Sequence, residues 1–244
     1  MPSLLPLTGI GAGAAKLWSL SYDGSDDETD CGLPASLILP AAGFTVDLYW
    51  KHPATLPDLA NFTLISQGSR QSTGWGIWIV TDASNHFRAW AWFNTPFGVL
   101  WLARPDGYTD RTPNVWHYFR LRWTSTGARV AAFSMDAGEE HTSNTYGFGY
   151  TPDESNHFCL GRDGNARHFH ILGILIYVHA WNNTQGALGA VPTTPFAIGA
   201  NTAGRWLHQD GSGATLADTS GNGNDGTISG ATWVQDAPAG WTVP

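Results

Sequence analysis

Between residues 44 and 51 the chain alternates: Phe44, Val46, Leu48 and Trp50 share one parity, while Thr45, Asp47, Tyr49 and Lys51 share the other. A period of two places the apolar set on one face of a β-strand. Residues 75–81 (WGIWIVT) and 86–93 (HFRAWAWF) flank the loop 82–85, which predicts a hairpin between β-rich runs. Residues 116–123 (WHYFRLRW) and 128–136 (ARVAAFSMD) flank 124–127 in the same way. The run 169–181 (FHILGILIYVHAW) is long enough for a helix. Its β-branched and aromatic content, with Gly173 inside, instead predicts a strand buried on both faces. No segment carries a convincing helical stripe. Roughly ten to twelve strands, with turn signals about every 8–12 residues, predict an all-β, two-sheet antiparallel sandwich. Residues 191–204, rich in Pro and Gly, read as a crossing segment rather than a linker.

Composition narrows the partners. Of 244 residues only 12 are Lys or Arg, against 20 Asp or Glu, for a net charge of -8. So few cations neutralise few phosphates, which argues against nucleic-acid binding. No apolar run is long enough for a membrane-spanning helix, so no membrane insertion is expected. Cys31 and Cys159 are too few for a disulfide framework and lack metal-site spacing. They are two separate buried thiols or, if their strands are neighbours, one bridge. Residues 1–15 are apolar and small, but Pro2 and Pro6 interrupt them and the first basic residue is Lys16. That is not the pattern of a signal peptide. It predicts an extended arm over residues 1–16, lying against its own sandwich or a neighbouring subunit, ahead of a single domain at 17–244.

Two segments carry more than composition. Residues 20–32 (LSYDGSDDETDCG), followed by 43–51 (GFTVDLYWK), resemble the "SFDGxDDYVD…FTVxxWVK" opening of laminin-G-like, concanavalin A-like jelly-roll domains. Residues 210–227 (DGSGATLADTSGNGNDGT), ending in 230–234 (GATWV), resemble that family's "DGSG…SGNGNDGTLSGATWV" segment. Shorter matches fall between them in order: 64–68 (LISQG), 116–118 (WHY), 158–164 (FCLGRDG), and Ile176, Tyr177 and Ala180. In the family the second segment usually precedes the first. Here it follows the last core strand, which implies that residues 205–244 complete the sandwich from the far end of the chain. The family's acidic pair ahead of its "RIY" strand is replaced by Leu172 and Gly173.

The candidate chemistry is that of recognition. Trp78 has the opposite parity to Trp75, Ile77 and Ile79, and Trp90 and Trp92 alternate with Phe87, Ala89, Ala91 and Phe93. Together with Trp101 they form a candidate ligand-binding set, since indole rings stack on apolar sugar faces or bury area at a protein interface. Asp218, Asn222, Asn224 and Asp225 offer oxygens suited to calcium, although the same Asn-Gly and Asp-Gly steps serve tight turns. Asp23, Asp26, Asp27 and Asp30 are a second acidic cluster. His157, His168, His170 and His179 read as exposed strand or loop residues, and Asp47 and Asp136 as isolated acids. Catalysis is not expected: of the four glutamates Glu28, Glu139, Glu140 and Glu154, none falls in the alternating acidic pattern of the laminarinase-like enzymes that share the resembled fold. The expectation is a non-catalytic surface module, a virion structural or adhesion protein of phage head, tail or fibre type, with glycan binding. Its partners would be glycans, cell-surface or virion proteins, and further copies of itself in an oligomer, in a virion or extracellular setting. A secreted carbohydrate-binding module is the alternative, and a glycoside hydrolase ranks last.

Overall fold

The computed structural model describes residues 16–55, 57, 60–68, 73–81, 86–96, 98–103, 114–125, 130–138, 140–144, 150–163 and 170–244. The expected arm at 1–15, the loop 82–85, Glu139 and His168 lie outside them. In chain order the strands are β1 (Ser19–Asp23), β2 (Glu28–Asp30), β3 (Gly43–Lys51), β4 (Asn61–Gly68), β5 (Gly74–Thr81), β6 (Phe87–Thr95), β7 (Gly98–Ala103) and β8 (Trp116–Thr124). There follow β9 (Val130–Met135), β10 (His141–Asn144), β11 (Phe158–Leu160), β12 (Leu172–Trp181), β13 (Thr202–Trp206), β14 (Thr215–Leu216), β15 (Gly226–Ser229) and β16 (Thr232–Val234). Among the described residues the helical content is a single 3-10 turn at Ala35–Leu37. The fold is all-β.

The strands form two antiparallel sheets. The first runs β10-β9-β8-β3-β12-β1-β16, with β13 also paired to β12; the second runs β14-β15-β2-β11-β4-β5-β6-β7. Among the described residues sixteen strands exceed the pattern-based count because β2, β10, β11, β14 and β16 are two to four residues long, too short to show an alternation. The late strands pair with the early ones. Thr227 is the register partner of Asp30 and Val234 that of Ser19, so one chain closes both sheets.

Parity decides what faces inward. Phe44, Val46, Leu48 and Trp50 of β3 lie in the core between the sheets, with Trp75, Ile77 and Ile79 of β5 and Phe87, Ala89, Ala91 and Phe93 of β6. The strand β12 is buried on both faces from Leu175 to Trp181. Gly173 earns its place there: its φ is +127, and a Cβ would sit 2.4 Å from the Trp50 Nε1 and 2.5 Å from the Lys51 oxygen.

The outer face of the first sheet is not open to solvent. Tyr49, Tyr118, Ile176 and Tyr177 form a second apolar cluster with Trp241, against which Leu188, Val191 and Phe196 pack. Thr184, Gln185 and Gly186 bond to this sheet through the Trp123 oxygen, the Thr45 hydroxyl and Arg120. Hence the polar parity of β3 is buried as well, with Thr45 and Asp47 at 0% exposure. Three sequence expectations are corrected here. Asp47 is not isolated but accepts two hydrogen bonds from Arg120, at 2.8 and 2.6 Å. His179 is not an exposed strand residue: it is fully buried, stacked on Trp181 at 3.8 Å, with Tyr177 and Thr202 at its two ring nitrogens. Asp136 likewise has a partner, His117 Nδ1 at 2.8 Å.

Candidate functional site

Directly opposed residues in an antiparallel pair point to the same face. In the second sheet one such row crosses every strand: Thr215–Thr227–Asp30–Cys159–Ser66–Gly76–Trp92–Trp101. Its members alternate with core residues such as Thr29, Phe158, Leu160 and Ile77, so the row lies on the outer face. Trp78 and Trp90 are register partners and belong to the same face. The four tryptophans therefore come together, and Trp78, Trp90 and Trp101 converge with Val80 on a surface pocket of about 360 Å³. The Trp78 and Trp101 ring centroids are 5.6 Å apart and tilted by 33°, while Trp90 meets Trp101 edge-on at 6.1 Å. Trp101 is 37% exposed, but Trp92 only 2%. The Trp92 ring lies over Gly76, where a Cβ would come within 2.7 Å of its Nε1. Trp92 is thus floor rather than contact surface, and Arg88 stands over the Trp90 ring at 5.4 Å.

At the other end of the row lies a polar pocket of about 420 Å³, lined by Glu28, Asp30, His157, Asp225, Thr227 and Ser229 among others. Glu28 and Asp30 are two residues apart on β2 and so share a face. Arg162 bridges them, its Nε 2.6 Å from Glu28 and its NH2 group 3.0 Å from Asp30. Burial works to raise the Asp30 pKa, and it is outweighed by hydrogen bonds from His157 and the Gly32 N–H together with the nearby positive charges. The Asp30 carboxyl consequently lies below its ordinary range. Sequence reading missed this constellation because Arg162 is 132 residues from Asp30. The motif segment 158–164 contains Arg162, but nothing in it announces the partners.

At the polar pocket, Cys31, just past the end of β2, and Cys159, on the neighbouring β11, are buried free thiols. Cys159 shares the outer face with Asp30, whereas Cys31 belongs to the inner cluster. Burial pushes the Cys159 thiol up to about 12, against the opposing charge of Arg162, so it is a packed group and not a nucleophile.

The four proposed calcium ligands cluster, and several of their atoms already take part in hydrogen bonds. Asp218 Oδ1 accepts from the Arg205 and Ser220 N–H groups, and Oδ2 from the Ser220 hydroxyl and the Asn224 N–H. Asp225 Oδ1 accepts from the Asp218 N–H. Asn222 and Asn224 turn their amide nitrogens to the Thr202 and Ala203 carbonyls. These contacts close a turn and occupy both Asp218 oxygens. Among the described residues, Asp23, Asp26 and Asp27 bring carboxylate oxygens within 4.8 Å of one another. There too the atoms serve a turn, Asp27 Oδ2 accepting from the Asp23 N–H and Asp23 Oδ1 from the Ser25 N–H. Replacing Asp218 by alanine is expected to lower stability by about 1–3 kcal/mol, because four donors lose their acceptor. The midpoint of urea unfolding measures this.

No family model matches the chain, and no curated protein matches it in sequence. Solved structures resemble it in fold. A heptameric SAP-like pentraxin from Limulus polyphemus superposes with a TM-score of 0.50 at 11% identity, over 72% of this chain and 81% of that one. The carbohydrate-binding module CBM40 of the Ruminococcus gnavus IT-sialidase, solved with α2,3-sialyllactose, gives 0.49 at 11% identity, over 68% and 92%. The enzymatically active domain of tailspike protein 2 from bacteriophage CBA120 gives 0.45 at 12% identity, over 75% of this chain and 31% of that one. The class these observations define is a two-sheet antiparallel jelly-roll sandwich of the kind seen in the pentraxin.

Proposed function

We propose that the protein is a non-catalytic recognition module that binds glycans on the outer face of its second sheet. One observation carries the reading: three indole rings, on β5, β6 and β7, converge on a surface pocket whose volume falls within the range of small-ligand sites. Flat apolar walls of this kind suit pyranose faces. Glu28 and Asp30, the carboxylate pair on that face, argue for binding over hydrolysis. A glycosidase acid must stay protonated, which needs a raised pKa, whereas Asp30 is held low and Arg162 bridges both groups.

The finer parts of the proposal rest on sequence. Membership of the laminin-G-like family rests on the motifs at 20–32 and 210–234. Placement in an oligomeric surface assembly, a virion structural or adhesion protein, rests on the apolar segment 1–15 as an anchor for a neighbouring subunit. A secreted carbohydrate-binding module uses the same site in the same way.

The test is titration of soluble oligosaccharides, followed by calorimetry and by tryptophan fluorescence. Trp101→Ala, at a partly exposed edge position, is expected to weaken binding by about 1–2 kcal/mol, roughly tenfold or more, with an unchanged melting temperature. Equal affinity of wild type and Trp101→Ala, or a folded wild type that binds no glycan across a broad array, overturns the reading.

A further inference from the structure

The tryptophan pocket and the polar pocket lie on one face of one sheet, joined by a single row of register partners from Asp30 to Trp101. We propose that they are the two ends of one bipartite site, which takes an oligosaccharide laid across the strands and selects neutral or amino sugars over acidic ones. The inference rests on the glycan reading above and adds ligand length and charge to it.

Length follows from strand geometry. Asp30 and Trp92 are separated by four strand spacings, about 19 Å, and Trp101 by one more, about 24 Å. A monosaccharide fills one pocket, and only a chain reaches both. Between the ends the row is closed: Cys159 and Ser66 are at 0% exposure and Trp92 at 2%. The Ser66 hydroxyl donates to the Arg162 oxygen at 2.9 Å, and the Trp92 ring occupies the space over Gly76. The ligand therefore touches the two ends of the row and not the residues between them.

Charge follows from the polar end. Glu28, Asp30 and Asp225 set three carboxylates against the one guanidinium of Arg162, with the His157 imidazole beside them. Arg162 is 9% exposed and already bonded to two of the carboxylates, so its charge is spent within the protein. What the pocket presents outward is carboxylate oxygen and the side chains of Thr227 and Ser229, acceptors for hydroxyl and ammonium groups. An incoming carboxylate or sulfate would meet like charge.

The experiment titrates the full chain with dimers and hexamers of glucosamine, of N-acetylglucosamine and of galacturonic acid. Either glucosamine-type hexamer is expected to bind at least tenfold tighter than its dimer, and the galacturonate hexamer at least tenfold weaker than both. Thr227→Lys, an exposed position in the polar pocket, should weaken the glucosamine hexamer severalfold and narrow the gap to galacturonate, while dimer binding at the tryptophans stays unchanged. Hexamers no tighter than dimers would overturn the bipartite site, and equal binding of galacturonate would overturn the charge selection. Either failure leaves the glycan reading standing if Trp101→Ala still reduces dimer binding. Absence of binding by every probe and across the array removes both.

Discussion

Replacing Arg120 by methionine is expected to destabilise the protein by about 3–5 kcal/mol, the usual cost of stripping one partner from a buried ion pair. Asp47 is fully buried and Arg120 is 5% exposed, so the orphaned carboxylate would have no water to turn to. The guanidinium also packs over Trp181 at 5.8 Å and Phe196 at 5.1 Å, and its NH1 group donates to the Gly186 oxygen at 2.9 Å. Its loss thus loosens the segment that covers the first sheet. Limited proteolysis within 183–201 should accelerate along with the fall in urea midpoint. The double variant Asp47→Leu/Arg120→Met removes both charges and should recover most of the loss. A single variant within about 1 kcal/mol of wild type would show that the pair is not the anchor of this face.

Acidification is expected to destabilise the protein well before its carboxylates titrate. His179 and His208 are pushed from 6.5 down to about 3. Burial is the main cause in both, with the charges of Arg205 and Arg120 adding to it at His179 and the backbone carbonyls of Trp206 and Ile176, as acceptors for the ring, opposing it at His208. In the unfolded chain both rings take up protons near pH 6.5, while in the native state they do so only near pH 3. Their contribution to stability is complete above pH 6.5 and is lost as pH falls through that window. The slope approaches about 1.4 kcal/mol per pH unit for each ring, or about 3 for the two together. From pH 6.5 to pH 4 the loss reaches about 7 kcal/mol, a large part of a total stability on the order of 5–15 kcal/mol. Asp47, which burial pushes up against the hydrogen bonds of Arg120, acts in the opposite sense. Asp30 and Asp153, held low, add to the loss below their ordinary range. Melting temperatures from pH 7.5 to pH 4 measure the balance, and His179→Gln should flatten part of the curve. A melting temperature constant between pH 7 and pH 4.5 would mean that these rings are not held neutral.

The fold was legible wherever burial on one face enforces a period of two. The parities of Phe44, Val46, Leu48 and Trp50, and of Trp75, Ile77 and Ile79 against Trp78, assign the inner and outer faces of β3 and β5 correctly. The same parity brings Trp78, Trp90, Trp92 and Trp101 to one surface, but it cannot tell that Trp92 lies flattened against Gly76. What escaped were contacts between residues far apart in the chain. Asp47 finds Arg120 at a separation of 73 residues, and Asp30 finds Arg162 at 132. No local pattern encodes such pairings. The buried His179 escaped for a related reason. Its ring is enclosed by Trp181 and by Thr202, 23 residues further along the chain, a contact that no local pattern announces. The residues 218–225 show the converse, a segment rich in oxygen ligands in which Asp218 spends both its oxygens on the backbone around it.

The row that crosses the second sheet separates two kinds of work within each strand. On β5, Ile77 and Ile79 hold the sandwich shut while Trp78, between them, meets the outside; on β2, Thr29 is turned inward between Glu28 and Asp30. A substitution at an outward position can therefore rewrite what the surface prefers without touching what keeps the domain folded. Such a lattice can change its taste one strand at a time, and relatives with the same skeleton are free to differ most where their sequences alternate outward.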